Sequence, residues 1–396
     1  MGDLTLTNLA EDIYSAADTV GREAVGFIPS VTMNASSTEA SVGDTVKAAV
    51  TAEAPAFVDI SDGLMSVPEG TSQSVIADTF QLTNAKAVQI PMGAEKELQL
   101  RNSGSYETVY GDLIQQAMRK LTNQMESDLF TEIKNNASRA LGTVNTDPFT
   151  FTATTTGLEN AAKMRRLLVD NGMPDDDYSL VLNTIAGGTF RASRTNAFAD
   201  AAGTADFRQN GTLSRVFGAS VRESSQSGTH TAGTEAAWAV NQGAHEAVGQ
   251  TTITVDAGAG GTLLEGDILN FAGDAQSDYV NSGSTTGVSG AAGGDIIING
   301  SKGILVQADD DDVVTRVASY QSNLMFHRRA AELAMRAPAA PTGGDAAVDS
   351  IIVQDPTSGL VFEVRIYKGY RKSMIEVAAV WGVKAWKSDF IGNIYQ

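Results

Sequence analysis

One stretch of the sequence constrains the fold more than any other, because its apolar residues recur at steps of three and four over about 30 positions. These residues are Tyr110, Leu113, Ile114, Ala117, Met118, Leu121, Met125, Leu129, Ile133 and Ala137. Such spacing places them along one face of an α-helix roughly 45 Å long. Ser105 can cap the first turn, where the helix dipole favours the carboxylate of Glu107. The pattern therefore predicts a spine helix over about 106–138, which is unusually long for a compact domain.

The composition permits a large folded protein and argues against several functional classes. With 396 residues, 42% of them hydrophobic, the chain can form about two or three domains with substantial cores. It has 28 Lys and Arg against 47 Asp and Glu, a net charge of −19, and no basic run that could neutralise phosphates. Tight nucleic-acid binding is therefore not expected. The absence of cysteine excludes disulfides and thiolate chemistry, and it fits a cytoplasmic origin.

Neither a membrane span nor a secretory signal is predicted. No uncharged apolar run is long enough to cross a bilayer as a helix. Acidic residues such as Glu11, Asp12 and Asp18 interrupt every apolar stretch near the N-terminus, which a signal peptide would need to be continuous.

The N-terminal segment instead predicts a short amphipathic helix that ends by Pro29. Asn8 and Glu11 form a variant of the capping box, and Ile13 and Tyr14 belong to an apolar set at helical spacing. Two interpretations stay open, an ordinary packing helix and an arm that grips a neighbouring subunit.

From about Val31 to Leu82 the pattern changes to short β-prone pieces. Thr45–Thr51 and Ser74–Leu82 are rich in β-branched and aromatic residues, and turn residues separate the pieces at Gly43-Asp44, Asp62-Gly63 and Pro68-Glu69-Gly70. Few residues here could form a closed core. The segment therefore predicts a long β-hairpin that projects from the body.

The rest of the chain predicts a mixed body that a β-rich stretch interrupts. A helix is expected over 158–169 and a strand over 179–182. Gly, Thr, Ser and Ala dominate 225–319, which predicts an inserted all-β module with strands at 251–255, 267–271, 295–298 and 303–307. Helical periodicity returns over 324–335, and strands are expected at 360–367 and 374–380.

No motif for catalysis or ligand binding is present. The three histidines, His230, His245 and His327, lack zinc-site spacing, and neither a phosphate-binding loop nor a nucleophile elbow occurs. His327 falls in the helix predicted over 324–335, where a surface or packing role is expected. We therefore predict no catalytic residue, no cofactor site and no metal ligand, and hence a protein that is not an enzyme.

Two acidic runs, Asp175–Asp177 and Asp309–Asp312, are candidate cation sites. The second run lacks the alternating ligand spacing and the glycine of a calcium loop, and the first follows Pro174 in a turn. Intersubunit ion pairs or simple solvation of a turn fit both runs better, and cation binding stays open.

Four stretches of the sequence, taken in order, resemble one known family. Tyr110–Leu121 is similar to a spine helix with an Ala-x-Arg-Lys-Leu core, and Asn210–Ala219 to a Gly-Thr-x-x-Arg-x-x-Gly stretch that leads into an insertion. Gly266–Gly273, after Thr251–Val255, looks like a strand pair inside that insertion, and Trp381–Ala385 matches a Tyr/Trp-Gly-Val-x-Ala signature. The family is the major capsid (coat) proteins of tailed bacteriophages, in the short-tailed, P-twenty-two-like branch that carries an inserted domain.

The resemblance implies an α+β fold of the Hong Kong 97 type with an inserted all-β domain. Its parts would be an N-terminal arm at 1–30, an extended hairpin at 31–84, a peripheral domain with the spine helix at 85–155, an axial domain with returning peripheral strands at 156–224 and 320–396, and the inserted domain at 225–319. The insertion is shorter and richer in glycine than the family pattern. Neither a cross-linking chemistry nor a maturation cleavage site can be placed.

The resemblance also implies a function. Hexamers and pentamers of this chain would self-assemble, through a maturing procapsid, into the icosahedral shell around a double-stranded DNA genome. The implied partners are a scaffolding protein, a portal protein and the packaged DNA, which acidic walls would contact without sequence specificity; a decoration protein stays open. The implied location is the virion capsid, after assembly in the cytoplasm of a bacterial host.

Apolar residues that a monomer would expose are the candidate intersubunit contacts, since such residues gain little without a partner. Phe57, Leu64 and Met65 lie near the predicted hairpin tip, and Ile13 and Tyr14 lie in the arm. Gly111, near the start of the spine helix, is the candidate pivot as the shell expands.

Two other functional classes compete with the capsid interpretation. A tail or fibre component would fit the β-rich middle, but fibres favour sequence repeats and none is visible. A hydrolase that uses scattered carboxylates would require an acid pair in a pocket and activity as a monomer.

Overall fold

A computed structural model describes residues 6–23, 26–48, 57, 78–103, 106–150, 157–197, 215–235, 238–243, 245–256, 261–283, 293–341, 343, 347–356 and 358–396. The helices in these residues are α1 (Leu6–Glu23), α2 (Ala94–Ser103), α3 (Tyr106–Asn135), α4 (Glu159–Asp170) and α5 (Thr184–Ala197). None of these helices combines the length and the hydropathy needed to span a bilayer.

The strands of the described residues lie at both ends of the chain and throughout its middle. They are β1 (Thr32–Ala40), β2 (Thr45–Ala48), β3 (Asp78–Gln81), β4 (Asn84–Gly93), β5 (Arg139–Gly142), β6 (Tyr178–Leu182), β7 (Arg215–Val216), β8 (Ala219–Glu223), β9 (Thr229–His230), β10 (Trp238–Val240), β11 (His245–Glu246), β12 (Thr252–Asp256), β13 (Ile268–Phe271), β14 (Asp278–Val280), β15 (Gly294–Ile297), β16 (Ala308–Asp309), β17 (Val313–Arg316), β18 (Tyr320–His327), β19 (Ala331–Pro338), β20 (Ala347–Gln354), β21 (Val361–Gly369), β22 (Lys372–Ala385) and β23 (Ile391–Tyr395).

Two large sheets contain nearly all of these strands. A six-stranded sheet has the order β1-β19-β22-β21-β20, with β4 paired to β22. A 13-stranded sheet has the order β15-β12-β10-β17-β13-β14-β5-β23-β18-β6-β8-β7, with β9 paired to β18. The pairs β2–β3 and β11–β16 form separate two-stranded sheets. Long-range pairing therefore connects elements from both halves of the chain.

Helix α3 lies between α1 and the six-stranded sheet. Its residues Ile114, Met118, Met125, Leu129 and Ile133 have no exposed surface and belong to one hydrophobic core with residues of α1, β19, β21 and β22. Burial of each such side chain stabilises the fold by about 1.5–3 kcal/mol, so this helix contributes a large share of the core. The helix predicted over 106–138 is confirmed as α3.

Several other predicted elements are also confirmed. Helix α4 matches the helix expected over 158–169, and it ends at Asn171 and Gly172, where Gly172 has φ +95°. Strand β6 matches the strand expected over 179–182, and β21 and β22 cover the two strands expected near the C-terminal end.

The helix predicted over 324–335 is wrong. Strand β18 ends at His327, a 3₁₀ turn covers Arg328–Ala330, and β19 begins at Ala331. Nearly every residue of both strands is buried, so apolar side chains follow one another without alternation. A continuous apolar run of this kind also satisfies helical spacing, which is why periodicity alone could not separate the two structures.

The strand predicted over 303–307 is also wrong, since the next strand, β16, begins at Ala308. The segment crosses the turn before β12 instead of extending beside a strand. Ile304 donates its backbone N–H to Gln250 and accepts one from Gly249, and Gly303 takes φ +58° beside that turn.

Several further elements were missed, among them β4, α5 and α2. Strand β4 carries apolar residues at alternate positions, Val88, Ile90 and Met92, which pack on the main core and were a readable signal. Helix α5 begins after Asn183, whose side-chain oxygen accepts the backbone N–H of Ala186 at 2.7 Å, as an N-cap does. Helix α2 is mostly exposed and has no apolar stripe, so the sequence offered no periodicity to detect.

The described elements between 215 and 316 are all strands. Trp238, Val255, Leu269 and Phe271 belong to a hydrophobic cluster of their own within this region. Its strands are nevertheless continuous with the sheet of the body, because β14 pairs with β5 through Asp278↔Ala140 and Tyr279↔Arg139. We call the part from β9 to β17 the β module.

The base of the hairpin expected over 31–82 is present. Strands β2 and β3 pair in antiparallel register from Thr45↔Gln81 to Ala48↔Asp78. Val46, Phe80 and Leu82 bury one side of this base against Ala334 and Val380 of the six-stranded sheet. Residues 49–77, apart from Phe57, lie outside the described residues.

Gly382, part of the Trp-Gly-Val-x-Ala stretch, lies where the hairpin base meets β22. A Cβ atom at this position would be 2.5 Å from the carbonyl oxygen of Gln81 and 3.1 Å from the Cα atom of Leu82. Since both atoms are backbone, they cannot move aside as a flexible side chain would.

We therefore expect Gly382→Ala to lower the free energy of unfolding by about 1–3 kcal/mol through overpacking. Denaturant unfolding of the purified chain measures this change. Gly93→Ala is the matched control, because no atom lies within 4 Å of its added Cβ, and it should change stability by less than about 0.5 kcal/mol. Equal effects of the two substitutions would contradict the close approach.

Candidate assembly surfaces and the spine helix

Glu126 of α3 holds the segment that follows α1. Its carboxylate accepts the backbone N–H groups of Phe27 and Ile28, both at 2.9 Å, and the hydroxyl of Ser224 at 3.0 Å. The side chain is buried, and loss of solvation raises the pKa of Glu126, while these hydrogen bonds and the charge of Arg222 oppose the rise. The carboxylate thus joins the N-terminal segment and the end of β8 to one point of the helix.

Asp128 and Glu132 lie one turn apart on α3 and bind the six-stranded sheet. Asp128 accepts the indole N–H of Trp381 at 2.9 Å and the side-chain amide of Asn84 at 3.2 Å. Glu132 accepts the backbone N–H of Ala385 at 3.1 Å. Because residues four apart share one helix face, these two carboxylates fix the position of β22 along the helix.

The last turn of α3 contacts the β module. The amine of Lys134 lies 2.6 Å from Nδ1 of His230, and Nε2 of His230 lies 2.7 Å from Oδ1 of Asp267. All three side chains are buried. In addition, the side-chain amide of Asn299 donates to the carbonyl of Asn135 at 2.6 Å. Polar groups on α3 therefore hold the N-terminal segment, the six-stranded sheet and the β module.

The residues predicted to contact neighbouring subunits have different environments. Ile13 has no exposed surface because it packs inside the core with α3, whereas Tyr14 beside it is 52% exposed. Only Tyr14 of this pair is therefore available on the surface. Phe57 is fully exposed, and Leu64 and Met65 lie outside the described residues.

Helix α1 forms an extensive contact with α3 and also touches β20. Leu9, Ala17 and Val20 are buried by that contact together with Ile13. Within one folded chain, α1 is thus a packing helix, which was one of the two open interpretations of the N-terminal segment.

Gly111 lies in an unbroken part of α3 that faces α1. A Cβ atom added to it would be 3.4 Å from Cβ of Asp12, which is ordinary van der Waals contact. The site therefore accommodates an alanine side chain, and the helix continues through Gly111 without a break.

A surface that the sequence analysis missed is the tip of the β21–β22 hairpin, which we call the basic tip and define as Lys368–Lys372. Tyr370 is 90% exposed, and the flanking Lys368, Arg371 and Lys372 are exposed as well. The backbone N–H of Ala94 donates to the carbonyl of Arg371 at 3.1 Å, which ties the tip to the start of α2. The signal was an aromatic residue between basic residues in a chain of net charge −19.

The acidic run Asp175–Asp177 is used inside its own chain. Asp175 pairs with Arg165 at 2.5 Å, and Asp177 lies 3.7 Å from Arg328. Asp176 lies 3.2 Å from Nε2 of His327, which is buried and accepts the backbone N–H of Arg329 on Nδ1. These intrachain contacts fasten the turn before β6 to the turn after β18.

The run Asp309–Asp312 builds the turn between β16 and β17. Asp312 accepts the backbone N–H of Asp309 at 2.8 Å, and Asp310 accepts that of Gln242 at 3.0 Å. Within the described part of the chain, no group of three or more His, Cys, Asp or Glu side chains could hold a metal ion.

Comparisons with known proteins give structural neighbours but no family. No family model matches the sequence, and no curated protein matches it. A capsid of a native GTA particle has a TM-score of 0.46 at 9% identity, covering 93% of this chain and 89% of its own. The capsid of cyanophage P-SCSP1u has a TM-score of 0.45 at 10% identity, covering 94% and 88%. A structure of Mycobacterium phage Che8 has a TM-score of 0.43 at 13% identity, covering 90% and 85%. Similarity at this level does not by itself establish a family or a function.

Removal of the Glu126 carboxylate tests its role as a junction. We expect Glu126→Ala to cost about 2–4 kcal/mol, because two buried backbone N–H groups lose their acceptor. Thermal and denaturant unfolding measure the loss. Gln116→Ala, at an exposed position of the same helix, is the control and should stay within about 0.5 kcal/mol of the wild type. A Glu126→Ala variant as stable as the control would show that the Glu126 carboxylate does not hold these segments to α3.

Substitution of Gly111 tests the local packing. Alanine has the higher helix propensity and fits beside Asp12, so Gly111→Ala should raise the free energy of unfolding by about 0.5–1 kcal/mol. Unfolding in urea measures the gain. A loss of stability would show that α1 and α3 are closer in solution than this contact distance indicates.

Proposed function

We propose that this chain is the major capsid protein of a tailed bacteriophage, which self-assembles into an icosahedral shell around double-stranded DNA and performs no catalysis. The observation that carries the proposal is the arrangement around α3. A helix of 30 residues crosses a six-stranded sheet, and a hairpin base leaves that sheet with a fully exposed Phe57 beyond it. An isolated monomer gains nothing from such an exposed aromatic side chain, whereas a shell subunit can bury it against a neighbour.

The order of the parts supports the same function. The four stretches that resemble tailed-phage coat proteins occupy α3, the lead-in to the β module, β13 and β22, in the expected order. We extend the proposal to a fold of the Hong Kong 97 type in the short-tailed branch. Its divisions would be the arm 1–30, the extended hairpin 31–84, the peripheral domain 85–155, the axial part 156–224 with 320–396, and the inserted domain 225–319.

The proposed partners follow from that function. Copies of the chain would form hexamers and pentamers, guided by a scaffolding protein and closed by a portal protein, in the host cytoplasm. The net charge of −19 suits a wall that holds DNA without binding it tightly, because phosphates and carboxylates repel each other. The mature shell would be the virion capsid.

The proposed intersubunit contacts are Tyr14, Phe57 and the basic tip, together with Leu64 and Met65 of the hairpin. Ile13 is not among them, since it is buried in its own chain. Gly111 remains the proposed pivot of α3 during expansion of the shell, because glycine is the weakest helix former other than proline in this stretch.

Electron microscopy of the purified chain, expressed with and without a cognate scaffolding protein, tests the function. Closed shells or tubes with a hexameric lattice are the expected result. A single small species under every assembly condition would refute the capsid function and favour a fibre component or an enzyme.

Single substitutions test the contacts. Phe57→Ser and Tyr370→Ser should each raise the concentration needed for assembly about tenfold, since a buried aromatic anchor contributes on the order of 1.4 kcal/mol or more per contact. Light scattering against protein concentration measures this threshold, and the unfolding of the monomer should not change. Val248→Ser, at a position of the β module that is 62% exposed, is the control and should assemble like the wild type. Unchanged thresholds in both variants would exclude these contacts.

A further inference from the structure

We propose that Lys134, His230 and Asp267 form a proton-operated latch between the last turn of α3 and the β module. The three side chains come from separate elements, namely α3, β9 and the loop before β13. They join in a chain of two contacts, 2.6 Å from Lys134 to His230 and 2.7 Å from His230 to Asp267. This inference concerns the folded monomer and does not depend on the proposed capsid function.

With Lys134 in its ammonium form, the hydrogen inventory of the latch allows one arrangement. The ammonium group of Lys134 can only donate, so Nδ1 of His230 must be the acceptor and carry no hydrogen. Nε2 then carries the single hydrogen of the neutral ring and donates it to Asp267. The closed latch therefore requires a neutral His230, and the Lys134–His230 pair carries one positive charge.

Neighbouring carboxylates offset part of the cost of burying that single charge. Asp267 and Glu265 attract the ammonium of Lys134, but burial opposes them and lowers the pKa of Lys134 to about 8. Asp267 is held in place by the backbone N–H groups of Gly233 and Leu264. No other charged side chain makes a hydrogen bond with the Lys134–His230 pair in the described residues.

Further groups enclose the site from the remaining sides. The ring of Tyr320 lies 4.9 Å from that of His230, and its hydroxyl donates to the carbonyl of Gly266 at 2.5 Å. Glu235, whose carboxylate lies 3.9 Å from Arg316, also acts on Asp267 through its charge. Nearby charge is thus mostly negative, and it supports one cation at the junction.

Uptake of a second proton breaks the latch at a defined contact. The added hydrogen would occupy Nδ1 of His230 and oppose the ammonium hydrogens of Lys134 across 2.6 Å. The imidazolium keeps its bond to Asp267, so Lys134 is the group that must leave. The β14–β5 pairing, the β9–β18 pairing and the bond from Asn299 to Asn135 stay in place, so only the contact of Lys134 with His230 is lost.

Alkaline pH affects the latch differently, because the pKa of Lys134 is lowered in the folded chain. Below a folded pKa of about 8 and an ordinary value of 10.5, both the folded and the unfolded chain hold the Lys134 proton. Between these values the unfolded chain binds more protons, so stability rises with pH over that window. A neutral amine still donates to Nδ1, and the latch stays closed. Opening is therefore expected only on acidification, when the Lys134–His230 pair takes up a second proton.

Hydrogen exchange of the full-length chain, followed by mass spectrometry from pH 8 to pH 5, tests the latch. After division by intrinsic exchange rates, opening at residues 229–235 and 262–268 should increase toward acid by up to about tenfold per pH unit, the limit for one proton. Lys134→Met removes the opposing donor, so this pH dependence should disappear. Where Lys134→Met does not fold, His230→Gln, which cannot titrate, should abolish the dependence in the same way.

Two matched controls isolate the site. His245→Gln removes an exposed histidine of the β module, and His327→Gln removes a buried histidine that faces Asp176 in the body. Both should keep the wild-type pH dependence at 229–235 and 262–268. Exchange that does not vary with pH in the wild type, or a dependence that persists without Lys134 or His230, would overturn the proposal.

Discussion

Ile114, Met118, Met125, Leu129 and Ile133 have no exposed surface, and the structure depends on the burial of this one face of α3. The helix packs against α1 on one side and against the six-stranded sheet on the other. Hydrophobic burial of this size drives association but does not specify position along the helix axis, because apolar contacts have little direction. Another kind of contact must therefore set the register.

The carboxylates of α3 supply that register. Glu126 accepts hydrogen bonds from the segment after α1, whereas Asp128 and Glu132 accept them from β22. Each carboxylate would lose these partners if its segment shifted by one residue. Carboxylates withdrawn from water, fully for Glu126 and partly for Asp128 and Glu132, add little net stability when compared with apolar residues, since their loss of solvation offsets the attraction. These carboxylates instead specify the alignment of the segments, because a hydrogen bond from a backbone or indole N–H is directional and forms in only one register.

The sequence predicted α3, α4, β6 and the strand-rich middle because each has a local pattern that reports its environment. It failed where burial is two-sided, as in β18 and β19, since apolar residues then occur without a period. It could not find the Lys134–His230–Asp267 cluster, whose members are separated by 96 and 37 positions. The basic tip, in contrast, could have been recognised from the sequence, because Lys368-Gly369-Tyr370-Arg371-Lys372 is a basic, aromatic stretch in an acidic chain. Contacts between distant segments depend on topology, and no local window contains that information.

Strand β23 lies between β5 and β18, so the large sheet cannot close without it. Ser138, just before β5, donates to the carbonyl of Ile391, which is 253 positions later. At about 5–20 residues per second, a ribosome would need on the order of 10–50 s to synthesise that interval. During this time the edge of β5 that will pair with β23 stays open, and such an edge can pair with a wrong strand. Translation therefore sets the earliest time at which this sheet, and with it the folded body, can be completed.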